Sequence, residues 1–381
     1  MSSKVYIAGT GIRKFGRFPD MSHSDFAWPV VRQALLESGL PKERLEVAYA
    51  SSVFGGMLVG QQILGKLGIT GLPIINVENA CSSSAVGVRE AAQRIASGQC
   101  EAALVLGVEM LSKLGRGPLP LNADDWDVSN GVTMPTIYAM RAQRYAYEHG
   151  MDPKALSEVT VKARRHGALN PLAQFQKTVE IDEVNASREI ADPLRLLHCC
   201  PTGDGAAAVV LVSERLAKTL DGVQAIEVAA AELRSGFYEP GPVSMIRSHA
   251  SERTAAQAFA TAGIEPKDID VAELHDSFAI AELMYYEAFG LCAHGDALAL
   301  LRSGATSLGG PHVVNPSGGL MSRGHPVAAS GVAQIVEITR QLQGRSGAHQ
   351  VQGARVGVTH VTGGGISGFE HGACAVTVLK R

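Results

Sequence analysis

The sequence predicts an α/β fold built twice over: two similar βαβ halves, the first carrying a large insertion. Three observations predict it. Short apolar runs alternate with amphipathic stretches of helical period, the pattern of strands joined by helical crossovers. The programme of residues 1–222 restarts in residues 223–381, with four matched blocks in the same order. Between roughly Lys113 and Asp192 lies a segment (113–192) with no counterpart of equal length in the second half.

Each element has its local reason. Lys4 to Ala8 is a short apolar strand ending in Gly9-Thr10-Gly11. Trp28 to Ser38 has an amphipathic helical rhythm that Gly39 stops, and Leu45 to Val53 is a second buried strand. Strand, helix, strand in that order implies parallel pairing with a right-handed crossover. Pro73 to Asn76 is the next strand, followed by a polar turn and a helix that runs to Gly98. Glu101 to Val108 is an apolar strand and is expected at an exposed edge unless a second copy covers it, so a homodimer is expected.

The second half repeats this. Ala225 to Ala231 reads as a strand, and Glu252 to Ala262 as a helix closed by Gly263. PKERLEVA (Pro41 to Ala48) is matched by PKDIDVA (Pro266 to Ala272), and EAALVLGVE by ARVGVTHVTGG from Ala354. GDGAAAVVLV, from Gly203, is matched by EHGACAVTVL, from Glu370. The stretch around Cys81 is answered by GPHVVNPSGGLMSRGHPVAASGVAQIVEITRQLQG around His325. The halves are expected to pack face to face, with the Cys81 and His325 helices between two sheets.

Composition narrows the function. A chain of 381 residues, 46% hydrophobic and 19% charged, can bury a large core in more than one domain. A net charge of −3 leaves no basic footprint for nucleic acid. Six unevenly spaced cysteines make no disulfide framework. Cys199 and Cys200 lack a second pair at zinc spacing, so no structural metal is expected. No signal-peptide layout and no membrane-length apolar run is present, so a cytoplasmic protein away from membranes is expected.

The chemistry gathers at NVENACSSSAVGVREAAQRIASG, Asn76 to Gly98. Cys81 stands where the helix begins, and Ser82, Ser83 and Ser84 are cap-type residues. Unpaired N–H groups and the positive helix end favour a thiolate there. Most unpaired cysteines are merely small buried hydrophobes. Small residues around this helix suggest that neighbours grip it on several sides.

Cys81 in NACSSS, HDSF at His275 to Phe278, NPSGG at Asn315 to Gly319, GHP at Gly324 to Pro326 and HVTGGG together resemble the thiolase superfamily. The HD-x-F block and the histidine three residues before Gly363 are most similar to sterol-carrier-protein-type thiolases and related acetyl-CoA acetyltransferases. The resemblance covers essentially the whole chain. It implies a layered α-β-α-β-α thiolase-like fold with a loop-domain insertion. It also implies an acyl-CoA C-acyltransferase that cleaves a 3-oxoacyl-CoA with coenzyme A as co-substrate, through a thioester on the cysteine. No permanently bound cofactor and no metal are implied.

The resemblance also assigns roles. Cys81 is the implied nucleophile and His325 the base that takes its proton. The N–H groups of Cys81 and Gly363 are the implied oxyanion hole, and His275 with His325 faces the second carbonyl. Asp276 reads as a structural acid that orients backbone or His275. Met134, Tyr138 and Met140 lie where thiolases line the acyl pocket, although helix packing explains them equally well. The departure is the second proton carrier. The positions where family members carry a second cysteine are Val361 and Ser277 here, and a serine hydroxyl is no general base unaided. His360 is the remaining candidate, with Ser277 as a hydrogen-bonding or water-holding residue.

That departure keeps other readings open: a condensing or C-acetylating enzyme with a non-CoA acceptor, or a non-catalytic acyl-CoA-binding subunit. Relatives of this type often dimerise, and some bacterial ones pair with a small OB-fold, zinc-ribbon protein. Coenzyme A phosphates are expected to meet surface cations such as Lys113, Arg116 or Arg164. His149, His166, His198 and His371 have no motif partners and read as surface or loop histidines.

Overall fold

The computed structural model describes residues 3–115, 117, 119–236, 243–364 and 370–381. Ten strands form one mixed sheet. In chain order the first half contributes β1 (Val5–Ile12), α1 (His23–Ser38), β2 (Val47–Ser51), β3 (Ile74–Val77), α2 (Ser83–Ala96) and β4 (Ala102–Met110). The two longest helices of the insertion follow, α3 (Met134–His149) and α4 (Leu156–Ala168), and then β5 (Asp204–Ser213). The second half contributes β6 (Ile226–Arg234), α5 (His249–Ala262), β7 (Val271–Glu273), α6 (Ala279–Ala288), β8 (Val313–Val314), α7 (Ser330–Leu342), β9 (Val356–Gly363) and β10 (Ala373–Lys380).

The duplication is visible in the ladder. The strand order is β8-β7-β9-β10-β6-β1-β5-β4-β2-β3, so both halves run outward from the centre in equivalent sequence. In each half the first strand pairs antiparallel with the last, which pairs antiparallel with the fourth, and the remaining neighbours are parallel. The expected two separate sheets are instead one, because β1 and β6 pair at Tyr6–Glu227 and Ile7–Ile226. β1 and β2 share a direction but are not neighbours, since β5 and β4 lie between them.

The expected edge is corrected too. β4 is paired on both sides, by β2 and β5, so its unbroken apolar run reflects burial on both faces. The edge of that half is β3, where Ile75 is 37% exposed.

Helix ends follow the expected punctuation. Gly39 and Gly263 close α1 and α5 in the left-handed region, with φ of 63° and 61°. The helices α2 and α7 lie against each other, and each also touches strands of the opposite half. Small residues permit this: a Cβ on Gly331 would stand 2.8 Å from the Cβ of Ala85. The insertion packs downward. Tyr138, Tyr145, Leu156 and Val159 share one apolar core with Phe278, Tyr285 and Tyr286 of the second half. Among the described residues no helix is long and apolar enough to cross a membrane.

Candidate active site

The site forms where the starts of α2 and α7 meet. A tight turn holds Cys81: the Ser82 and Ser83 amides donate to the carbonyls of Asn79 and Ala80. The Ser82 and Ser83 hydroxyls also donate back, to the Asn79 and Ala80 carbonyls, rather than capping the helix. Ala80 carries a positive φ of 49°, a strained setting just before the cysteine. Ser84 turns the other way and accepts the Val332 amide of α7.

Across the seam, Nε2 of His325 stands 3.2 Å from the Cys81 sulfur, and its Nδ1 is 2.8 Å from Ser330 Oγ. A thiol that donates to Nε2 leaves Nδ1 as the N–H that donates to Ser330. The expected thiolate is corrected. Burial raises the Cys81 thiol to about 12, against the opposing pull of the Gly364 and Cys81 amides, with Glu109 and Glu78 adding to the rise. Burial, with the Arg323 charge, lowers His325 to about 3. The helix end does not outweigh desolvation, and the resting pair is neutral.

His275 completes the cluster, its ring 5.1 Å from that of His325 and set edge-on. Cys81, His275 and His325 each present a ligand-type atom within 4.8 Å of the others. A soft divalent cation fits that donor set, which would occupy the same sulfur that the thiol chemistry needs. Nδ1 of His275 is buried and has no hydrogen-bond partner among the described residues. Burial, then the neighbouring His325, His360 and His371, keep this ring well below its ordinary value and neutral.

Asp276 is spent on backbone: its carboxylate accepts the Leu320 amide at 2.6 Å and that of Met321 at 3.4 Å. Gly319 of NPSGG is explained by that contact, since a Cβ there would lie 2.1 Å from the carboxylate. Asn315 braces the same block by accepting the Leu274 amide at 2.8 Å.

His360 does not enter the pocket. Successive residues of a strand face opposite sides, and β9 directs Val361 into the cluster that touches Cys81. His360 is on the other face, with Nε2 3.0 Å from Ser251 Oγ and its ring against Tyr285 and Phe289. Its remaining contact is a long one, 3.5 Å from the His275 amide to Nδ1. Gly363 pairs with Ala373 in the ladder, whereas the amide that faces the sulfur is that of Gly364.

Two residues were missed. His371 is buried, not a surface histidine: Nδ1 donates to the Gly364 carbonyl at 3.0 Å, and Nε2 lies 3.2 Å from the Tyr138 hydroxyl and 3.3 Å from that of Tyr285. Its only sequence signal is its place beside the strand that closes the second half. Cys200 lies next to the HDSF block, its amide donating to the Ser277 carbonyl at 2.9 Å. His166 and His198 are buried as well, on the Asn315 carbonyl and Ser157.

Of the proposed pocket residues, Tyr138 comes to the site, stacked on Phe278 with centroids 4.4 Å apart. Met134 packs against the core, and Met140 is half-buried on the same helix. Arg164 is buried under Phe175, 3.9 Å from its ring, and is no surface cation. Lys113 is exposed and donates to the Pro19 carbonyl, while Arg116 lies outside the described residues.

Comparison with known proteins shows the family. The family model described as "Thiolase, N-terminal domain" matches residues 5–215, and "Thiolase C-terminal domain-like" matches residues 243–376. Subunit BbsB of benzoylsuccinyl-CoA thiolase from Thauera aromatica is 41% identical, over 96% of each chain. Sterol carrier protein 2 from Homo sapiens is 36% identical over 99% of this chain and 72% of its own. An acetyl-CoA acetyltransferase from Methanothermobacter thermautotrophicus is 34% identical over 99% of each. Among solved structures, the Ltp2-ChsH2(DUF35) aldolase has a TM-score of 0.85 over 99% of this chain and 98% of that one, a likeness of fold at 24% identity. With matched halves, a thiol on an imidazole across their seam and relatives of full length, the chain belongs to the thiolase family and is a thiolase-family acyltransferase.

Proposed function

We propose that the protein is an acyl-CoA C-acyltransferase that cleaves a 3-oxoacyl-CoA with coenzyme A. One observation carries the reading: the 3.2 Å approach of the Cys81 sulfur to Nε2 of His325, in a pair that rests neutral. His325 takes the thiol proton as sulfur attacks the 3-oxo carbon, so charge is created only when the substrate is in place. The Cys81 and Gly364 amides then receive the oxyanion, a contribution worth about a hundredfold or more for each donor. The C2–C3 bond breaks, leaving the acyl group on sulfur and an enolate that His275 and His325 face. The enolate takes up a proton, coenzyme A gives one up from its thiol as it attacks the thioester, and the His325 proton returns to Cys81 as its sulfur leaves. Thiolases typically act on CoA substrates without a bound cofactor.

Brief exposure to substrate followed by mass spectrometry tests this. An acyl mass on the Cys81 peptide supports it, and full turnover by Cys81→Ala overturns it. A second reading, condensation onto a non-CoA acceptor, is favoured by Val361 packed beside Cys81 where relatives carry a thiol. Release of free thiol only when acceptor is added would select it. A homodimer through the open edge of β3 is proposed, supported by exposed Ile75. A partner subunit is also proposed, supported by the 41% identical relative being named as a subunit. Sedimentation of the purified chain separates these assemblies.

A further inference from the structure

Cleavage leaves a carbanion at C2 that needs a proton, and the two positions expected to supply a thiol hold Val361 and Ser277. Ser277 nevertheless marks the place. Its hydroxyl and that of Tyr285 face the phenol oxygen of Tyr138. Nε2 of His371 lies 3.2 Å from the same oxygen. The His371 tautomer is fixed by Gly364: Nδ1 must carry the hydrogen, because a carbonyl only accepts. Nε2 therefore carries a lone pair that faces two hydroxyls, those of Tyr138 at 3.2 Å and Tyr285 at 3.3 Å. The Arg141 guanidinium is 5.4 Å from the Tyr138 ring. The cluster is joined to Cys81 through Gly364, whose carbonyl holds His371 and whose amide faces the sulfur.

We propose that Tyr138, oriented by His371 and flanked by Ser277 and Tyr285, is the second proton carrier of the reaction. The proposal rests on the thiolase reading given above. As the C2–C3 bond breaks, its electron pair stays on C2 and takes the Tyr138 proton, leaving a phenolate. Tyr285 and Ser277 donate hydrogen bonds to that phenolate, and the nearby guanidinium favours its charge. Incoming coenzyme A gives its thiol proton to the phenolate and attacks the Cys81 thioester as thiolate. The tyrosine is thus reset each turnover, with no other reactant needed. A phenolate is a stronger base than a thiolate, which suits removal of a C2 proton in the reverse direction. Burial raises the Tyr138 phenol, in keeping with a group that rests protonated.

The rival is Cys200, whose backbone is bonded to that of Ser277. The test measures deuterium entry at C2 of acetyl-, octanoyl- and 3-phenylpropanoyl-CoA in D2O, alongside acylation of Cys81 by mass spectrometry. Tyr138→Phe keeps the ring stacked on Phe278 and removes only the hydroxyl. Exchange should fall a hundredfold or more, while iodoacetamide still alkylates Cys81 within tenfold of wild type. Adding Ser277→Cys, which puts a thiol beside the missing hydroxyl, should recover at least tenfold of the exchange. The proposal is overturned if Tyr138→Phe exchanges within tenfold of wild type, or if Cys200→Ser abolishes exchange while Tyr138→Phe does not. Wild-type protein that acylates with none of the three probes overturns the thiolase reading itself, a separate result.

Discussion

Ser84 Oγ accepts the Val332 amide at 2.9 Å, so the helix that carries the nucleophile is bonded to the one that follows its base. Val332 lies in the first turn of α7, where an amide has no partner within its own helix. Ser84 supplies that partner across the seam, and both residues are fully buried.

Ser84→Ala should therefore destabilise the protein by about 1–3 kcal/mol, the cost of an unmet buried donor. It should also lower turnover, by loosening the Cys81–His325 approach. Urea denaturation and steady-state kinetics on the same preparation check both. A turnover unchanged beside a lowered midpoint would mean the seam is held elsewhere.

The neutral thiol–imidazole pair makes a pH prediction. With Cys81 near 12 and His325 near 3, the thiolate fraction rises tenfold per pH unit across the neutral range. Iodoacetamide alkylation of Cys81 in the unliganded protein should climb steadily from pH 6 to pH 9. A plateau near neutrality would reveal an ion pair instead.

Five buried histidines bear on stability. His166, His325 and His360 lie near 3, and His198 and His371 near 4, each because burial disfavours the charged ring. Unfolded, each would bind a proton below about 6.5. The unfolded chain then holds more protons than the folded one, so stability falls as pH drops from about 6.5 toward 4. Each ring contributes about 1.4 kcal/mol per pH unit in that window. Despite its own burial, His349 is raised by Glu337 and works in the opposite sense, against these five and His275, which burial also lowers. Melting temperature measured between pH 4 and pH 8 should fall steeply on the acid side.

His360→Leu separates support from chemistry. It removes the contact to Ser251 from the far side of β9, and a cost of about 1–3 kcal/mol in stability is expected. Alkylation of Cys81 should stay within threefold of wild type. A hundredfold loss would put His360 back in the pocket.

The Cys81, His275 and His325 donors predict inhibition by zinc. Micromolar Zn2+ should protect Cys81 from iodoacetamide, with EDTA restoring the reaction. His275→Ala should weaken that protection at least tenfold. Protection unchanged in the variant would locate the ion elsewhere.

Much of this was legible in the chain. The duplication, the helix stops at Gly39 and Gly263, and the Cys81 and His325 motifs are local or repeated signals, and each kept its place in the fold. Strand neighbours were less legible. The apolar run of β4 reads equally as an edge covered by a partner or as a doubly paired centre, because burial gives both the same composition. His360 and Val361 show a further ambiguity: a strand alternates its faces, but which face looks at Cys81 depends on how α2 and α7 sit against the sheet.

Sequence alone determined the twofold architecture and the identity of the thiol and imidazole that meet, since motif and repeat are written along the chain. Tertiary structure decided the protonation of that pair, because desolvation comes from atoms far off in sequence and here outweighs the helix end. It also decided the company of Tyr138, by packing a helix of the insertion onto Phe278 and bringing its hydroxyl to His371, 233 residues away. No local pattern encodes that meeting; only the shared core of the insertion and the second half brings it about.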